Sequence, residues 1–318
     1  MFNYIFRFNI LFILILNQVA IDADVSKRNA LDYLNKFGYV KEPNRKSKGP
    51  LSLQDPEKTL QNSLKKFQSI HGLKITGILD KATIKKIESP RCIKPDFPIA
   101  RPSSKKGGLK MLKLGLFVTA SKWKKKKLKY AVFNENKELQ GRTRAIIANA
   151  FKFWSDRSGI SFKEVHPNAK HDLSIKFGAR NHGDAYPFDG PGGVLAHAFF
   201  PEDGRIHFDE DENFTDKTKN GVNLQTVAVH EFGHALGLDH SLVKGAVMNP
   251  YYKGYDENFK LGKDDIKAIQ SLYGKPRRKN QKAKSKKKQK NKRPNANPKK
   301  KKKSSKISTT KSSTKTTT

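Results

Sequence analysis

The chain has 318 residues, a formal net charge of +36 and one cysteine. This length suits about two domains, and one cysteine excludes a scaffold held by internal disulfides. The charge is uneven, because residues 275–318 contain 20 of the 65 Lys and Arg residues and no Asp or Glu. That segment is rich in Lys, Ser and Thr and has too little apolar surface for a core, so we expect it to be disordered.

The N-terminus has the pattern of a secretory signal peptide. Arg7 supplies a basic start, residues 10–16 (ILFILIL) form a short apolar core, and Ala20 or Ala23 would end the segment. A run this short cannot span a bilayer, which needs roughly 20 apolar residues. We therefore expect a signal peptide at 1–23, no transmembrane anchor, and secretion to the extracellular space or matrix.

Three short amphipathic helices are predicted next, within residues 24–100. The first covers 28–39, the second starts with Asp55 as its N-cap and Pro56 in its first turn, and the third starts at Asp80. Together they would form a compact helical unit that ends just before the lone cysteine.

A basic, glycine-bearing stretch at 101–116 is typical of an exposed linker, where proteolysis concentrates. A second domain is expected at 117–274. Strands are predicted at 127–133, 172–177, 193–200 and 204–211, and helices at 141–159, 223–237 and 263–274. The first of these helices turns five residues inward, namely Ile146, Ile147, Ala150, Phe151 and Trp154. Helices at both edges of a mixed sheet indicate an α+β domain.

The segment HEFGHALGLDH (230–240) carries the strongest functional pattern. His230 and His234 are four residues apart on a helix, so both imidazoles point from one face, and His240 can return to the same point. Three neutral nitrogens would hold zinc with one position open, and Glu231 would take the proton from a water there. With Met248 in the following turn, this is the extended metzincin motif, which a chance HExxH in an ordinary helix does not explain.

Two further ion sites are indicated upstream. One set of N and O donors could bind a structural zinc: His182, Asp184, His197 and His207. Another set of carboxylates and flexible backbone carbonyls suits calcium: Asp189, Gly190, Gly192, Val194, Asp209 and Glu212. Taken singly, each histidine is more often a surface residue, and the acidic set could be a solvated loop. An acidic run in so basic a chain favours a cation.

Over residues of about 25–274 the sequence resembles a secreted matrix metalloproteinase. The resemblance rests on HEFGHALGLDH, AVMNP, HGDAYPFDGPGGVLAHAFF and HFDEDE, and on a first helical unit similar to a peptidoglycan-binding-like prodomain. It implies a metzincin catalytic domain with a twisted mixed five-stranded sheet, three helices and a zinc cleft along an edge strand. It also implies two zinc ions, one catalytic and one structural, and at least one calcium ion.

In that family a prodomain cysteine binds the catalytic zinc and excludes water, and Cys92 in PRCIKPDFP (90–98) lies where that ligand should be. Zinc favours a thiolate, and Arg91 beside the thiol would help to lower its pKa. The resemblance further implies that Arg91 and Asp96 hold the segment in the cleft. The alternative is an inert buried cysteine.

The chain departs from the family pattern at several places. Ile93 and Lys94 replace the usual Gly-Val, which predicts weaker latency or a different path for the segment. The short turn at 201–206 lacks the family's glycine-rich loop, which argues against a second calcium at Asp172. No furin-type Arg-x-Lys-Arg precedes the second domain, so activation is expected within 101–116. A Lys-rich segment follows in place of the family's C-terminal propeller (hemopexin) domain.

An extended peptide substrate would add to the edge strand at 193–200 through main-chain hydrogen bonds, which brings Ala196 and Ala198 to the substrate. The resemblance puts the main specificity pocket between the active-site helix and the segment after Met248. Thr226 has the position that controls the depth of this pocket. A residue of this size predicts a deep pocket for Leu or larger side chains.

The sequence thus predicts a secreted, monomeric zinc endopeptidase, made as a latent zymogen and acting on extracellular matrix or other extracellular proteins. The Lys-rich segment at 275–318 could serve solubility alone, but its charge favours sulfated glycosaminoglycans or anionic cell surfaces. Export argues against nucleic acid as a partner.

Two other functions are less consistent with the sequence. An inactive metzincin-like extracellular protein could bind anionic glycans through the Lys-rich segment, but inactive relatives commonly lose the base and this chain has Glu231. An astacin- or adamalysin-like peptidase would need disulfides in this domain, which one cysteine cannot supply.

Overall fold

A computed structural model describes residues 26–40, 55–97, 119 and 121–276. The predicted signal peptide, the linker at 101–116 and all but the first two residues of the Lys-rich segment lie outside the described residues. Within the described part, no helix is long and apolar enough to cross a membrane.

The N-terminal part of the described chain is helical, as predicted. Its helices are α1 (26–36), α2 (Pro56–Ile70) and α3 (Lys81–Ile87). The Asp55 side chain accepts a hydrogen bond from Glu57 N, and Asp80 accepts one from Thr83 N. Both predicted N-caps therefore satisfy donors that the first turn of a helix leaves free.

A shared apolar cluster joins this helical part to the rest of the chain. It packs Leu34, Phe37 and Phe67 of the helices with Phe188 and Val194 of the C-terminal part. All five side chains are at most 4 % exposed. Full burial of one such side chain contributes about 1.5–3 kcal/mol, so separating the two parts would be costly.

The C-terminal part is built on a mixed sheet. Its strands are β1 (Arg91–Cys92), β2 (Lys127–Val132), β3 (Ser161–Glu164), β4 (Leu173–Gly178), β5 (Val194–Ala198) and β6 (Arg205–Asp209). They lie in the order β1-β5-β6-β4-β2-β3, with β5 antiparallel to β6 and the other pairs parallel. A separate small sheet pairs β7 (Phe214–Thr215) with β8 (Val222–Asn223). The sixth strand is the cysteine segment, which covers the expected edge strand β5.

Three helices and a 3₁₀ turn complete this part: α4 (Thr143–Ser155), α5 (Leu224–Ala235), α6 (Lys263–Tyr273) and Lys137–Leu139. The inward face of α4 contains all five residues predicted for it. Phe151 stacks on Phe232 of α5 with ring centroids 3.8 Å apart, and Trp154 Nε1 donates to Val229 O at 2.9 Å. These contacts fix α5 along its length.

The start and end of α5 are set by local chemistry. Asn223, where the predicted helix begins, caps the helix by accepting from Thr226 N at 3.0 Å. Beyond the other end, Gly237 has a φ of +100°, and a Cβ there would overlap the carbonyl oxygen of Ser121. Glycine is therefore required where the chain turns back towards α5.

Gly233 lets α5 lie directly against the methionine turn. A Cβ at Gly233 would overlap Met248 Sδ and would lie 3.0 Å from Trp154 Cζ2. The turn is fixed from its other side, because the Asp265 carboxylate accepts from Val247 N at 2.8 Å and from Met248 N at 3.2 Å. The position of Gly233 in the HExxH motif does not predict this contact, because Met248 is distant from it in sequence.

Gly233→Ala is expected to destabilise the protein by about 1–3 kcal/mol, because the added methyl group overpacks the contact with Met248. Urea or thermal unfolding measures the loss. The double variant Gly233→Ala/Met248→Ala should lose less than the sum of the two single variants, since the smaller side chain makes room. Strictly additive losses would contradict this account.

Candidate metal centres

Three histidines and the single cysteine converge between α5 and β1. His230 and His234 lie on one face of α5, and His240 returns to that face after the turn at Gly237. The three imidazole centroids are 4.8–5.4 Å apart. One ligand atom from each histidine and Cys92 Sγ all lie within 4.8 Å of one another, and all four side chains are buried.

The hydrogen bonds of these histidines leave their inner nitrogens for a metal. His230 Nδ1 lies 2.8 Å from Val247 O, and His234 Nδ1 lies 2.7 Å from Leu238 O, so these rings donate through Nδ1. The Nε2 atoms of both, and of His240, are buried with no hydrogen-bond partner among the described residues. Buried polar atoms are rarely left unpartnered. The donor set therefore fits zinc, which neutral imidazoles bind through such nitrogens.

Burial dominates the electrostatics of this cluster. It lowers the pKa of His230 to about 3 and holds the pKa values of His234 and His240 below their usual range, so the imidazoles are neutral. It also raises the pKa of Glu231 to about 8. A divalent cation among these groups would favour neutral imidazole ligands and an ionised carboxylate.

The segment around Cys92 lies in the cleft as an added strand. Its backbone bonds to β5 on one side and to residues 250–252 on the other. The bonds are Arg91 N to Gly193 O (2.7 Å), Cys92 N to Pro250 O (3.0 Å), Ile93 N to Ala196 O (3.2 Å) and Tyr252 N to Pro90 O (2.9 Å). Ala198, further along β5, pairs with Ile206 of β6. The segment therefore occupies the strand edge that was predicted to receive substrate.

Arg91 connects this segment to the helical part. Its side chain is 1 % exposed and forms a bidentate ion pair with Asp96, at 2.6 Å and 3.1 Å. The guanidinium carbon lies 3.6 Å from the centroid of Phe37 in the helical part. Burial disfavours the Arg91 charge, but the carboxylate outweighs it, and the pKa of Arg91 is raised. The pairing of Arg91 with Asp96 agrees with the expectation.

The expected effect of Arg91 on the thiol is outweighed. Burial first and the Glu231 carboxyl second raise the pKa of Cys92 well above its usual value, and Arg91 opposes them only in part. Arg91 thus lowers the pKa of the thiol, as expected, but burial and the Glu231 carboxyl outweigh its effect. A thiolate at Cys92 needs a metal cation beside it.

A second cluster brings together the four residues predicted for a structural zinc. His197 Nε2 lies 2.9 Å from Asp184 Oδ2, 3.2 Å from His207 Nδ1 and 3.4 Å from His182 Nε2. Burial lowers the pKa of His197 to about 4, so its ring is neutral at pH 7. Four ligand atoms at about 2.0–2.1 Å from a tetrahedral zinc ion are about 3.3 Å apart. The donors already have nearly this spacing, so they fit zinc.

The residues predicted for calcium share one loop and its neighbouring strand end. Their carboxylates accept backbone hydrogen bonds: Gly192 N to Glu212 Oε1 (2.6 Å), Gly190 N to Asp209 Oδ2 (3.2 Å) and Val194 N to Asp189 Oδ1 (3.0 Å). Asp209 and Glu212 are buried, and burial raises the pKa of Glu212 to about 7. Buried carboxylates close together favour a cation as their counter-charge.

Asp172 has partners other than an ion. Its Oδ1 lies 2.6 Å from Lys125 Nζ, and its Oδ2 accepts from Lys129 N at 2.9 Å. We therefore do not propose a second calcium site at Asp172.

A cavity of about 400 Å³ opens beside the histidine cluster. Thr226 and Val227 of α5 form one wall, and residues 245–260 after the helix form much of the rest. Thr226 Oγ1 donates to Asn223 Oδ1 at 2.9 Å, so its hydroxyl serves the helix cap. The structure thus brings Thr226 to the cavity wall beside His230.

Tyr251, which no sequence motif indicated, lines the cavity together with Arg91 and Cys92. Its hydroxyl lies 2.9 Å from Tyr33 OH, its ring centroid lies 3.2 Å from Lys86 Nζ, and its backbone forms a bridge with Arg91. Tyr33 is distant in sequence from Lys86 and Arg91, and all three are distant from Tyr251. No local pattern could have predicted their meeting.

Comparison with known proteins agrees with this geometry. Residues 122–274 match the family model of the matrixins (Peptidase_M10), and residues 28–87 match that of a peptidoglycan-binding domain (PG_binding_1). The hatching enzyme of Paracentrotus lividus is 42% identical over 245 residues, which are 76% of this chain and 38% of that protein. Matrix metalloproteinase-19 of Mus musculus is 42% identical over 251 residues, 78% of this chain and 44% of that protein.

A nematode relative gives the same result. Matrix metalloproteinase-C of Caenorhabditis elegans is 37% identical over 266 residues, 79% of this chain and 44% of that protein. The chain thus spans less than half the length of the curated relatives it matches. With a zinc-type histidine cluster inside the matching region, residues 122–274 form a domain of the matrixin family of zinc-dependent metallopeptidases, preceded by a domain of the peptidoglycan-binding type.

Proposed function

We propose that this protein is a secreted zinc endopeptidase of the matrix metalloproteinase type, made as a latent precursor. Its substrates are peptide bonds of extracellular matrix or other extracellular proteins. The observation that carries the proposal is the set of three buried, unpartnered Nε2 atoms on His230, His234 and His240, with Glu231 beside them. The relatives named hatching enzyme and matrix metalloproteinase support the same activity.

The mechanism assigns each side chain a task. His230, His234 and His240 would hold zinc, which would supply Lewis acidity to make a water molecule more acidic. Glu231 accepts the proton of the attacking water and passes it to the leaving amine. Main-chain groups of β5 near Ala196 and Ala198 orient the peptide as an added strand. Thr226 lines the cavity that receives a side chain of the substrate. Met248 packs against α5 at Gly233.

Glu231→Gln is expected to lower kcat/KM on a fluorogenic peptide by about 10²–10⁴-fold, because the amide cannot accept the proton. The protein is first cut within 101–116 to activate it. Zinc content, measured by mass spectrometry of the intact protein or by atomic emission, should equal that of the unchanged chain. The control Glu164→Gln removes a carboxylate far from the cluster, and its activity should be unchanged. Full activity of Glu231→Gln would contradict the assignment.

We infer that residues 24–100 are an inhibitory prodomain and that 117–274 are the catalytic domain. Cys92 is the fourth zinc ligand in the precursor, which is supported by its sulfur lying within 4.8 Å of the histidine nitrogens. The thiol would then exclude water from the metal, and β1 would exclude substrate from the β5 edge. The Arg91–Asp96 pair would hold the segment in this position. In this proposal, residues 1–23 are a signal peptide that directs secretion. Cleavage within the linker at 101–116 separates the prodomain from the catalytic domain.

Cys92→Ser in the uncut full-length chain is expected to give measurable peptide cleavage, because a hydroxyl is a far weaker zinc ligand than a thiolate. Fluorogenic peptide cleavage before limited proteolysis measures the effect, and Ser89→Ala serves as a control that should stay latent. If the Cys92→Ser precursor stayed as inactive as the unchanged precursor while both became equally active after cleavage, Cys92 would not be the latency ligand.

The remaining metals are proposed as structural. The tetrahedral set His182, Asp184, His197 and His207 would hold a second zinc ion. The loop of Asp189, Gly190, Gly192 and Val194, with Asp209 and Glu212, would hold one calcium ion through carboxylate and carbonyl oxygens. Both would stabilise the long segment that leads into β5.

Calcium at 100 times its dissociation constant should stabilise the protein by about 2.7 kcal/mol, or about 5–10 °C in Tm for a domain of this size. Tm is measured in calcium-free buffer with free zinc held constant, before and after calcium is added. Asp209→Asn should lose most of this gain, whereas Asp203→Asn, which removes a surface carboxylate, should keep it. An equal gain in both variants would place the calcium elsewhere.

The Lys-rich segment at 275–318 is proposed to bind anionic extracellular polymers such as sulfated glycosaminoglycans. Its support is the 20 basic residues without a single Asp or Glu. Such binding is electrostatic and weakens as salt screens the charges.

A further inference from the structure

Beyond Cys92, the inhibitory segment places a lysine side chain against the catalytic domain. Lys94 Nζ lies 3.7 Å from the ring centroid of Phe200 and 3.9 Å from Asp239 Oδ1. The side chains of Lys94 and Asp239 are 21% and 22% exposed. The ammonium group is therefore held between an aromatic face and a carboxylate, both of them partly shielded from water.

This contact lies at the reaction centre. Asp239 immediately precedes His240, and the ring of Phe200 lies 6.0 Å from the ring of His234. Leu195, near the start of β5, lines the cavity beside Thr226, whereas Phe200 lies two residues beyond the end of β5 and does not line it. The Phe200–Asp239 pair is therefore outside this cavity, near the other end of β5.

Two features make the pair a binding site for a cation. A ring face attracts a cation within about 6 Å of its centroid, and a partly shielded carboxylate adds a charge that is less screened than one in open water. Asp239 Oδ1 also accepts from His240 N at 2.9 Å, which holds the carboxylate in place. Phe200 and Asp239 both belong to the catalytic domain, so they stay when the inhibitory segment leaves.

We propose that Phe200 and Asp239 form a subsite for a basic side chain, filled by Lys94 in the precursor and by a Lys or Arg of the peptide substrate afterwards. The substrate part rests on the proposed peptidase function. Because the subsite lies outside the cavity beside Thr226, it serves a different residue of the substrate from the one that enters the cavity. Lys94 in turn gives the precursor a tether that the glycine–valine sequence of other family members cannot form.

The first test needs no peptidase activity. Cys92 is the only cysteine of the chain, so alkylation of the full-length precursor by iodoacetamide, followed by mass spectrometry, reports exposure of this one thiol. Lys94→Gln and Asp239→Asn should each speed alkylation about threefold to tenfold, and the double variant should be no faster than either single one. Zinc content is measured alongside, so that loss of metal is recognised. Independent, additive effects of the two changes would overturn the proposal.

The second test uses the activated enzyme and matched peptides with Lys or norleucine at each of the three positions on either side of the scissile bond. We expect Lys to raise kcat/KM about threefold to tenfold at one of these positions. Phe200→Leu and Asp239→Asn should bring this ratio close to one, and Glu202→Gln, which removes a nearby exposed carboxylate, should keep it. A ratio near one in the unchanged enzyme, or one that neither variant alters, would overturn the subsite.

The two tests separate the two proposals. If no peptide is cleaved by the activated chain, the peptidase function fails, while the alkylation cycle still decides whether Phe200 and Asp239 bind the Lys94 ammonium. If peptides are cleaved without the Lys preference, the function stands and the substrate subsite fails.

Discussion

The structure depends on three buried imidazole nitrogens that have no partner within the described protein. Leaving such atoms unsatisfied is costly, commonly about 1–3 kcal/mol each, and the fold nevertheless holds His230, His234 and His240 in place from behind through Nδ1 contacts and a glycine turn. Gly233, Gly237 and Met248 have no chemical role of their own. They let α5 and the returning chain approach closely enough for the nitrogens to meet.

In the proposed function, the segment around Cys92 and the substrate would compete for the same two surfaces. β1 uses the β5 edge and the backbone of residues 250–252, and Cys92 uses the face of the histidine cluster. Arg91 then ties this strand to the helical part through Asp96 and Phe37. A buried ion pair of this kind contributes little net stability, but removing one partner destabilises the protein strongly. In the proposed precursor, this would keep the segment around Cys92 in the cleft until the chain is cut.

Much of this could be read from the sequence because it is encoded locally. The inward face of α4, the Asp55, Asp80 and Asn223 caps and the spacing of His230, His234 and His240 follow from helical periodicity and capping chemistry. β1 and β3 were not predicted, since β1 has two residues and β3 (SFKE) has no buried residue to mark a pattern. The burial and the Glu231 carboxyl that outweigh the effect of Arg91 on the Cys92 thiol were not predicted, because they arise from contacts between residues distant in sequence.

The loop at residues 182–194 contacts the helical part and also contains proposed metal ligands. Phe188, whose ring belongs to the apolar cluster of the helical part, stacks on His182 with centroids 4.2 Å apart, and Val194 begins the strand that pairs with Arg91. Metals that order residues 182–194 therefore order the platform on which the helices rest. By linkage, metals that bind the ordered loop would favour docking of the helices, and docked helices would favour metal binding by the same factor. In the proposed latent state, the loop would therefore hold the helical part in place together with the Cys92 thiol.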